Sequence, residues 1–299
     1  MISPPYLYAR GRRRPPDVLL RSIPPWFGSY VEPFLGGGAR AIAVMQRFTD
    51  TTVRLNSQSA EQLLVWAELQ NESETLIDLV EEHAARHDSR HFDEVRRWGS
   101  DGTLAAKSDA ERAARFVYLS GTAAGNALAG AVDDFADATL ARDTVAFDPV
   151  NLRALSRLLV GRDVRLDARP LFDLLPVIHE DDVVSLEPPA GASPRELRSF
   201  VGSVTAKGAF LLLSGPGGSG RSGGAGAGGG GGSGGAGAGG GRCSGGAGAG
   251  VPGSTRGSAP WFDSDAPASW PGLTRVDGAP GDPPEWLNGA LSRALRAAR

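Results

Sequence analysis

A short apolar strand that runs into an acidic residue and then into three glycines is the part of this chain best suited to chemistry. Residues 30–39 read YVEPFLGGGA, with Glu32 ending the strand and Gly36 beginning the turn. Glycines let the backbone approach a ligand closely, and the N-terminus of the following helix favours electron-rich groups. The pattern indicates a nucleotide-type site. A tight turn that only packs the helix on the strand is the alternative interpretation.

The elements that must position this turn alternate between helices and strands. In the first part of the chain we predict a helix at 16–23, a strand at 30–32, a helix at 39–48 and a strand at 52–55. Later we predict helices at 151–160, 170–175 and 194–207, alternating with strands at 163–166, 182–186 and 210–213. Such alternation predicts an α/β fold with a mostly parallel sheet that is covered on both faces.

Two segments interrupt this alternation. Residues 60–128 keep helical spacing throughout, which predicts a helical insertion, and residues 215–250 are almost entirely Gly, Ala and Ser. The glycine-rich segment cannot offset the entropy of its own ordering, so we expect it to be disordered. The predicted organisation is a core in two halves (1–57 and 150–214), a helical insert (58–149), a glycine-rich linker (215–258) and a C-terminal segment with a terminal amphipathic helix (259–299).

Composition excludes several classes of protein. The formal net charge of −3 argues against a protein that binds nucleic acids nonspecifically over its whole surface, although local basic patches are compatible with it. The single cysteine, Cys243, excludes an intramolecular disulfide and a cysteine-based metal cluster. No apolar stretch reaches membrane-spanning length, and the N-terminus lacks the hydrophobic run of a signal peptide. We therefore expect a soluble protein without export information.

The glycine motif is more specific than its glycines alone. The run EPFLGGGA, from Glu32 to Ala39, resembles the cofactor motif of Dam-type DNA adenine-N6 methyltransferases, which use S-adenosylmethionine. The resemblance covers roughly residues 8–214. It implies a Rossmann-like S-adenosylmethionine-dependent methyltransferase sheet with a helical inserted domain for target recognition. It also implies that the turn passes beside the methionine part of the cofactor and that these residues bind it: Glu32, Pro33, Phe34, Gly36 and Gly38.

Two further cofactor positions follow from the resemblance. Residues 7–13 read LYARGRR where the family has a segment like KWAGGKR, so Tyr8 stands at the tryptophan and Arg12 at the lysine. A basic N-terminal arm is the alternative interpretation. Alignment through Trp66 places Ser57 at the family aspartate that accepts hydrogen bonds from the cofactor ribose. One hydroxyl in place of a carboxylate should weaken cofactor binding.

The predicted catalytic residues are Glu187, Pro188, Pro189 and Ala190, and Glu187 also belongs to the predicted cofactor site. They follow a strand where the family reads DPPY or NPPY. In the family, the acid or amide and a proline carbonyl orient the exocyclic amine of a flipped adenine, on which the tyrosine ring stacks.

Both ends of this motif differ from the family pattern. Glu187 is one methylene longer than aspartate, and misplacement by about an ångström can cost about a hundredfold in rate. Ala190 lacks the ring, which removes about 1–3 kcal/mol of base stacking. A strand followed by a Pro-Pro turn without catalytic meaning is the alternative interpretation.

The helical block contains one more segment of the resemblance. Residues 115–122 read RFVYLSGT where family members carry a sequence that lies near the DNA face. Ser120 and Gly121 replace Asn and Lys there, whereas the apolar positions agree. This pattern is typical of a scaffold that kept its packing and lost its DNA contacts.

Three histidines recur every four residues, at His83, His87 and His91, along an apparent helix. Histidines on one helix face could bind a transition metal. Neighbouring Glu and Arg residues favour an exposed polar face instead, and we predict no metal site.

Three hypotheses about function remain open at this point. The first is a divergent S-adenosylmethionine-dependent DNA adenine-N6 methyltransferase that is weak or inactive. The second is a non-catalytic descendant, a pseudoenzyme that keeps the fold as a DNA-binding or structural module. The third is a decaying gene product. We expect DNA as a partner, no membrane and no metal, and a location in the cytoplasm or wherever that DNA resides.

Overall fold

The computed structural model describes residues 2–8, 17–124, 135–189, 191–214, 273–276 and 285–289. Several predictions concern residues outside this described part, among them Arg12 and Ala190 as site residues and disorder of the glycine-rich segment 215–250.

Strands and helices alternate in residues 17–56 and again in residues 149–214. The strands are β1 (Tyr30–Glu32), β2 (Val53–Asn56), β3 (Val164–Asp167), β4 (Val183–Leu186), β5 (Phe210–Ser214), β6 (Leu273–Val276) and β7 (Glu285–Asn288). The α-helices are α1 (Asp17–Ser22), α2 (Ala39–Arg47), α3 (Ala60–Asn71), α4 (Ser73–Ala85), α5 (Ser89–Arg97), α6 (Asp109–Thr122), α7 (Pro149–Val160) and α8 (Pro194–Ala206). Two 3₁₀ helices span Thr103–Ala106 and Leu171–Val177.

The described strands form one sheet in the order β3-β2-β1-β4-β5-β7-β6. The first five strands pair in parallel, and β7 and β6 add two antiparallel pairings at one edge. This arrangement confirms the predicted α/β fold with a mostly parallel sheet. The strand order reverses between β1 and β4, and ligands of such sheets bind at the carboxyl ends of the strands at this point.

The sheet is covered on both faces, as the alternation predicts. Successive side chains of a strand point to opposite faces, and in β1 Tyr30 joins one apolar cluster whereas Val31 joins the other. The first cluster holds residues of α2, α3, α4, α6 and α7. The second holds residues of α8 and of the 3₁₀ helix Leu171–Val177. The glycine turn therefore follows a strand whose two faces are both packed against helices.

Helix α6 is the central helix of the helical block. Its N-terminus has a capping box in which Ser108 and Glu111 satisfy each other's backbone N–H groups. All its residues from Ala113 to Thr122 are buried. Arg115 lies within this run and pairs with Glu61 of α3 at 2.8 Å. The block is therefore held by apolar packing and one buried ion pair.

The positions thought to have lost DNA contacts lie inside this packing. The Ser120 hydroxyl donates to the Val117 carbonyl oxygen at 2.9 Å. A Cβ added to Gly121 would lie 3.1 Å from the carbonyl oxygen of Ala146. Both residues face protein in this structure, so small side chains at these positions are explained by close packing.

The terminal helix predicted at 283–299 is wrong for residues 285–288. Residues 285–288 form β7, in which Trp286 pairs with Leu213 of β5 and Leu287 pairs with Leu212. The apolar pattern suits a helix locally, but pairing with β5 satisfies the backbone of a sheet edge, which no local pattern can indicate. Residues 290–299 lie outside the described part. Among the helices that the structure describes, none is both long and apolar enough to cross a membrane.

Candidate active site

Glu32 ends β1 and is 2% exposed. The Tyr30 hydroxyl donates to its Oε2 at 3.2 Å. Burial raises the pKa of Glu32 to about 8, because the charged carboxylate loses its hydration; Arg40 acts against this rise, and the charge of Glu187 adds to it. Burial therefore favours the protonated form of Glu32 at neutral pH.

Arg40 lies in the first turn of α2 and is 3% exposed. Its Nη1 donates to the Ser185 hydroxyl oxygen at 3.0 Å, and its Nη2 donates to the hydroxyl oxygen of Ser214. Its Nε lies 3.4 Å from Oε2 of Glu187, whose side chain is 34% exposed. Glu187 is thus partly exposed after the carboxyl end of β4, and a buried guanidinium lies beside it.

Sequence reasoning missed Arg40, although one signal was present. Arg40 precedes Val44 by four residues, which places both side chains on one face of α2, and both are buried. A cation on the apolar face of a predicted helix indicates a buried partner.

The two prolines after Glu187 form a turn. Pro188 is buried and Pro189 is half-buried. The Pro189 carbonyl oxygen accepts a hydrogen bond from the Ala192 N–H at 3.0 Å. This contact fixes the direction of the chain after β4.

The N-terminal segment packs on the glycine turn. A Cβ added to Gly36 would lie 3.4 Å from Cε1 of Tyr8. The Tyr6 hydroxyl donates to the Gly36 carbonyl oxygen at 3.0 Å and accepts from Nε1 of Trp66 at 3.2 Å. The structure therefore brings Tyr8 to the turn where the resemblance placed it; its contact with a cofactor stays a prediction.

Ser57 follows β2, but its hydroxyl is bound within the protein. The hydroxyl donates to Oε1 of Gln62 at 2.9 Å and accepts from the Ser59 N–H at 3.0 Å. The residue is 7% exposed. Ser57 in this arrangement braces the start of α3, where Ser59 is the N-cap.

The loops after β1, β2 and β3 are joined by Asn56, which sequence reasoning also missed. Its Nδ2 donates to the carbonyl oxygens of Pro33 at 3.0 Å and of Arg169 at 3.1 Å. Its Oδ1 accepts from the Arg169 N–H at 2.8 Å. Phe34 is half-buried and packs against the second apolar cluster. These contacts give Pro33 and Phe34 a structural role that does not require a bound cofactor.

The three histidines do not lie on one helix, so the predicted exposed helix face is wrong. His83 is in α4 and His91 in α5, and His87 lies in the turn between these helices. His83 is only 7% exposed, and its Nδ1 lies 3.0 Å from Nε2 of His91. Nδ1 of His87 lies 2.9 Å from the Tyr118 hydroxyl, and the ring of His83 stacks on Tyr118. The cluster joins α4, α5 and α6.

No metal-ligating arrangement stands out in the part of the chain that the structure describes. Within it, no group of three or more His, Cys, Asp and Glu side chains is placed to hold a metal ion.

We expect the His83 cluster to make the protein sensitive to acid. Burial, and then the charge of His91, lower the pKa of His83 from 6.5 to about 4. Since the unfolded chain binds the proton first, stability is present above pH 6.5 and is lost as pH falls toward 4, by up to about 3 kcal/mol. Urea unfolding from pH 7 to pH 4 should show the stability of His83→Phe rising relative to that of the wild type as the pH falls. The exposed His179→Asn serves as the control, and a constant difference between His83→Phe and the wild type would contradict the assignment.

Comparison with known proteins gives a distant similarity to a methyltransferase. No family model matches the chain. Over 97 residues the chain is 26% identical to the type II methyltransferase M1.LlaDCHI of Lactococcus lactis subsp. cremoris, which is 32% of this chain and 33% of that protein. The chain thus matches about a third of that relative's length. The mixed α/β sheet is consistent with a Rossmann-like methyltransferase fold, and this distant similarity points to the same class.

Proposed function

We propose that this chain is a slow S-adenosylmethionine-dependent methyltransferase that acts on the exocyclic amine of adenine in DNA. One observation carries the proposal. The glycine turn after Glu32 and the carboxylate of Glu187 follow β1 and β4, which are adjacent parallel strands, so both lie at the same edge of the sheet. That edge is where ligands of such folds bind. The Lactococcus lactis relative is named as a type II methyltransferase, which supports the same class.

The residues at this edge fit the cofactor in part. The turn at Gly36 to Gly38 leads into the N-terminus of α2, where backbone N–H groups favour electron-rich atoms. Tyr8 offers an aromatic face beside the turn, and Glu32 ends the neighbouring strand. When bound, S-adenosylmethionine supplies an electrophilic methyl group on a sulfonium sulfur.

Glu187 has the exposure and the chemistry to orient an amine. Its carboxylate can accept a hydrogen bond from the exocyclic NH₂ group and direct the nitrogen lone pair at the methyl group. In the transfer the nitrogen would form a bond to the methyl carbon as the bond between that carbon and the sulfonium sulfur breaks. S-adenosylhomocysteine would leave, and the proton lost from the amine would pass to water.

The proposal is tested by binding and by transfer. Calorimetry should show micromolar binding of S-adenosylmethionine or S-adenosylhomocysteine, and tritium from labelled cofactor should enter unmethylated DNA. Glu187→Ala should lower the transfer rate at saturating cofactor by about a hundredfold, because misplacing the reacting group costs about that much. If neither compound binds at concentrations up to the millimolar range, the proposal that this chain is an enzyme is refuted.

A non-catalytic descendant is the second candidate, and the engaged hydroxyl of Ser57 favours it. The double variant Glu187→Asp, Ala190→Tyr restores the family pattern and separates the two candidates. Transfer by the wild type supports the enzyme, whereas transfer by the double variant alone supports the descendant.

Restoring an acid at Ser57 should strengthen cofactor binding. In Ser57→Asp one carboxylate oxygen can accept from the Ser59 N–H, the Gln62 amide can rotate to donate, and the other oxygen can accept from a ribose hydroxyl. A hydrogen bond to a charged group contributes about 1.5–3 kcal/mol, so we expect at least about tenfold tighter binding by calorimetry. Ser57→Asn, which has the same shape without the charge, is the matched control. Equal affinities of the two variants would contradict the expectation.

A further inference from the structure

We infer that Arg40 is a positioning residue for the carboxylate of Glu187, an inference that rests on the proposed function. Arg40 comes from α2, directly after the glycine turn, and Glu187 comes from the loop after β4. Their contact links the candidate cofactor turn to the candidate catalytic motif.

The guanidinium is held rigidly from behind. Ser185 on β4 and Ser214 on β5 each accept one of its two Nη groups, and these residues lie 145 and 174 positions away in sequence. The third nitrogen of the planar group, Nε, lies 3.4 Å from Oε2 of Glu187, which is an ion-pair distance. Arginine presents its donors in a fixed fork, so two anchored nitrogens determine where the third one lies.

Charge compensation assigns Glu187 as the counter-ion. A buried cation is costly unless a carboxylate lies beside it. The Glu187 carboxylate lies 3.4 Å from Nε of Arg40 and forms an ion pair with it. Glu32 also lies near Arg40, but its burial favours the uncharged acid. Glu187 is therefore a carboxylate that compensates the charge of Arg40.

This contact also accounts for the longer acid in the motif. A glutamate carboxylate extends about an ångström beyond that of aspartate, a distance that matters for an oriented reactant. Arg40 draws the Glu187 carboxylate toward the sheet, where two serines fix the guanidinium. An aspartate at the same position would not reach Arg40 as closely. Arginine and glutamate thus form a matched pair.

Steady-state kinetics of Arg40 variants tests the inference. We expect Arg40→Met to lower kcat for methyl transfer by about a hundredfold, with the cofactor Kd and the KM for DNA within about twofold of the wild type. Ser214→Ala keeps the charge but removes one anchor, and it should lower kcat by about tenfold. Arg162→Met is the control, because Arg162 donates to the Met45 carbonyl at the other end of α2. A purely structural role would change folding and binding instead, and an unchanged kcat in both site variants would overturn the inference.

A double-mutant cycle on unfolding tests the pair without activity. Arg40→Met and Glu187→Gln should each destabilise the protein, and the double variant should be at least about tenfold more stable, in its unfolding equilibrium constant, than additivity predicts. Coupling below about twofold would overturn the inference even if methyl transfer is observed. Absence of transfer by the wild type, together with strong coupling, would refute the proposed function and leave the Arg40–Glu187 contact established.

Discussion

Glu32→Gln will become steadily more stable relative to the wild-type protein as the pH rises from about 4.5 to 8. Glutamine has the shape of the protonated acid that burial favours at this position. Its side-chain carbonyl can accept the hydrogen bond that the Tyr30 hydroxyl donates to Glu32. The variant should therefore match the wild type in acid and exceed it in mild base.

The sign of this pH dependence follows from the difference in bound protons between the folded and the unfolded chain. Below pH 4.5 both the folded and the unfolded chain carry the proton of Glu32, and its contribution to stability is fully present. As pH rises toward about 8 the unfolded chain loses that proton first, so the free energy of unfolding falls. A shift of about 3.5 pH units at about 1.4 kcal/mol each gives a loss of up to about 5 kcal/mol.

Urea unfolding at pH 5, 6.5, 8 and 9 measures this difference directly. We expect the stability of Glu32→Gln relative to the wild type to rise steadily up to pH 8 and then to level off. Glu81→Gln, at an exposed position of α4, is the control and should follow the wild type. Parallel curves for Glu32→Gln and the wild type would show that Glu32 is ionised in the folded protein.

The position of the site could be predicted because its signals are local. The strands at 30–32 and 182–186 were expected from short apolar runs, and the structure has them at Tyr30–Glu32 and Val183–Leu186. Both motifs directly follow these strands. Parallel strands of one sheet end at the same edge, so strand assignment alone brings the two motifs together.

The partners within the site could not be predicted in the same way. Arg40 is buried beside Ser185 and Ser214, which accept its hydrogen bonds. Both serines lie on strands far along the chain, so the local sequence does not indicate them. The hydroxyl of Ser57 was expected to face a ribose, yet Gln62 on the next helix engages it. Such contacts depend on side-chain geometry that no spacing rule contains.

Periodicity failed where long-range contacts override it. The four-residue spacing of His83, His87 and His91 suits one helix, but α4 ends at Ala85 and α5 begins at Ser89. Packing against Tyr118 of α6 stabilises the broken arrangement and buries His83. At the C-terminus, pairing with β5 outweighs a helical apolar pattern at 285–288 for the same reason.

Gly38→Ala is expected to have the second large effect, a loss of about 2–5 kcal/mol in the free energy of unfolding. Gly38 has φ of +77°, where an alanine costs about 1–2 kcal/mol. An added Cβ would also lie 2.5 Å from Cη2 of the buried Trp66 ring and closer still to Cζ2. Forcing a group into a packed core costs about 1–3 kcal/mol more.

Gly102→Ala separates the two causes, because Gly102 has φ of +82° and an added Cβ there meets nothing within 4 Å. The difference between the two variants in thermal or urea unfolding therefore measures the contact with Trp66. Displacement of this ring also disturbs the hydrogen bonds from Trp66 to Tyr6 and from Tyr6 to the Gly36 carbonyl. Cofactor binding should consequently weaken in Gly38→Ala and not in Gly102→Ala. Equal stability of the two variants would show that the Trp66 ring moves aside without cost, and that the glycine turn tolerates a side chain at its last position.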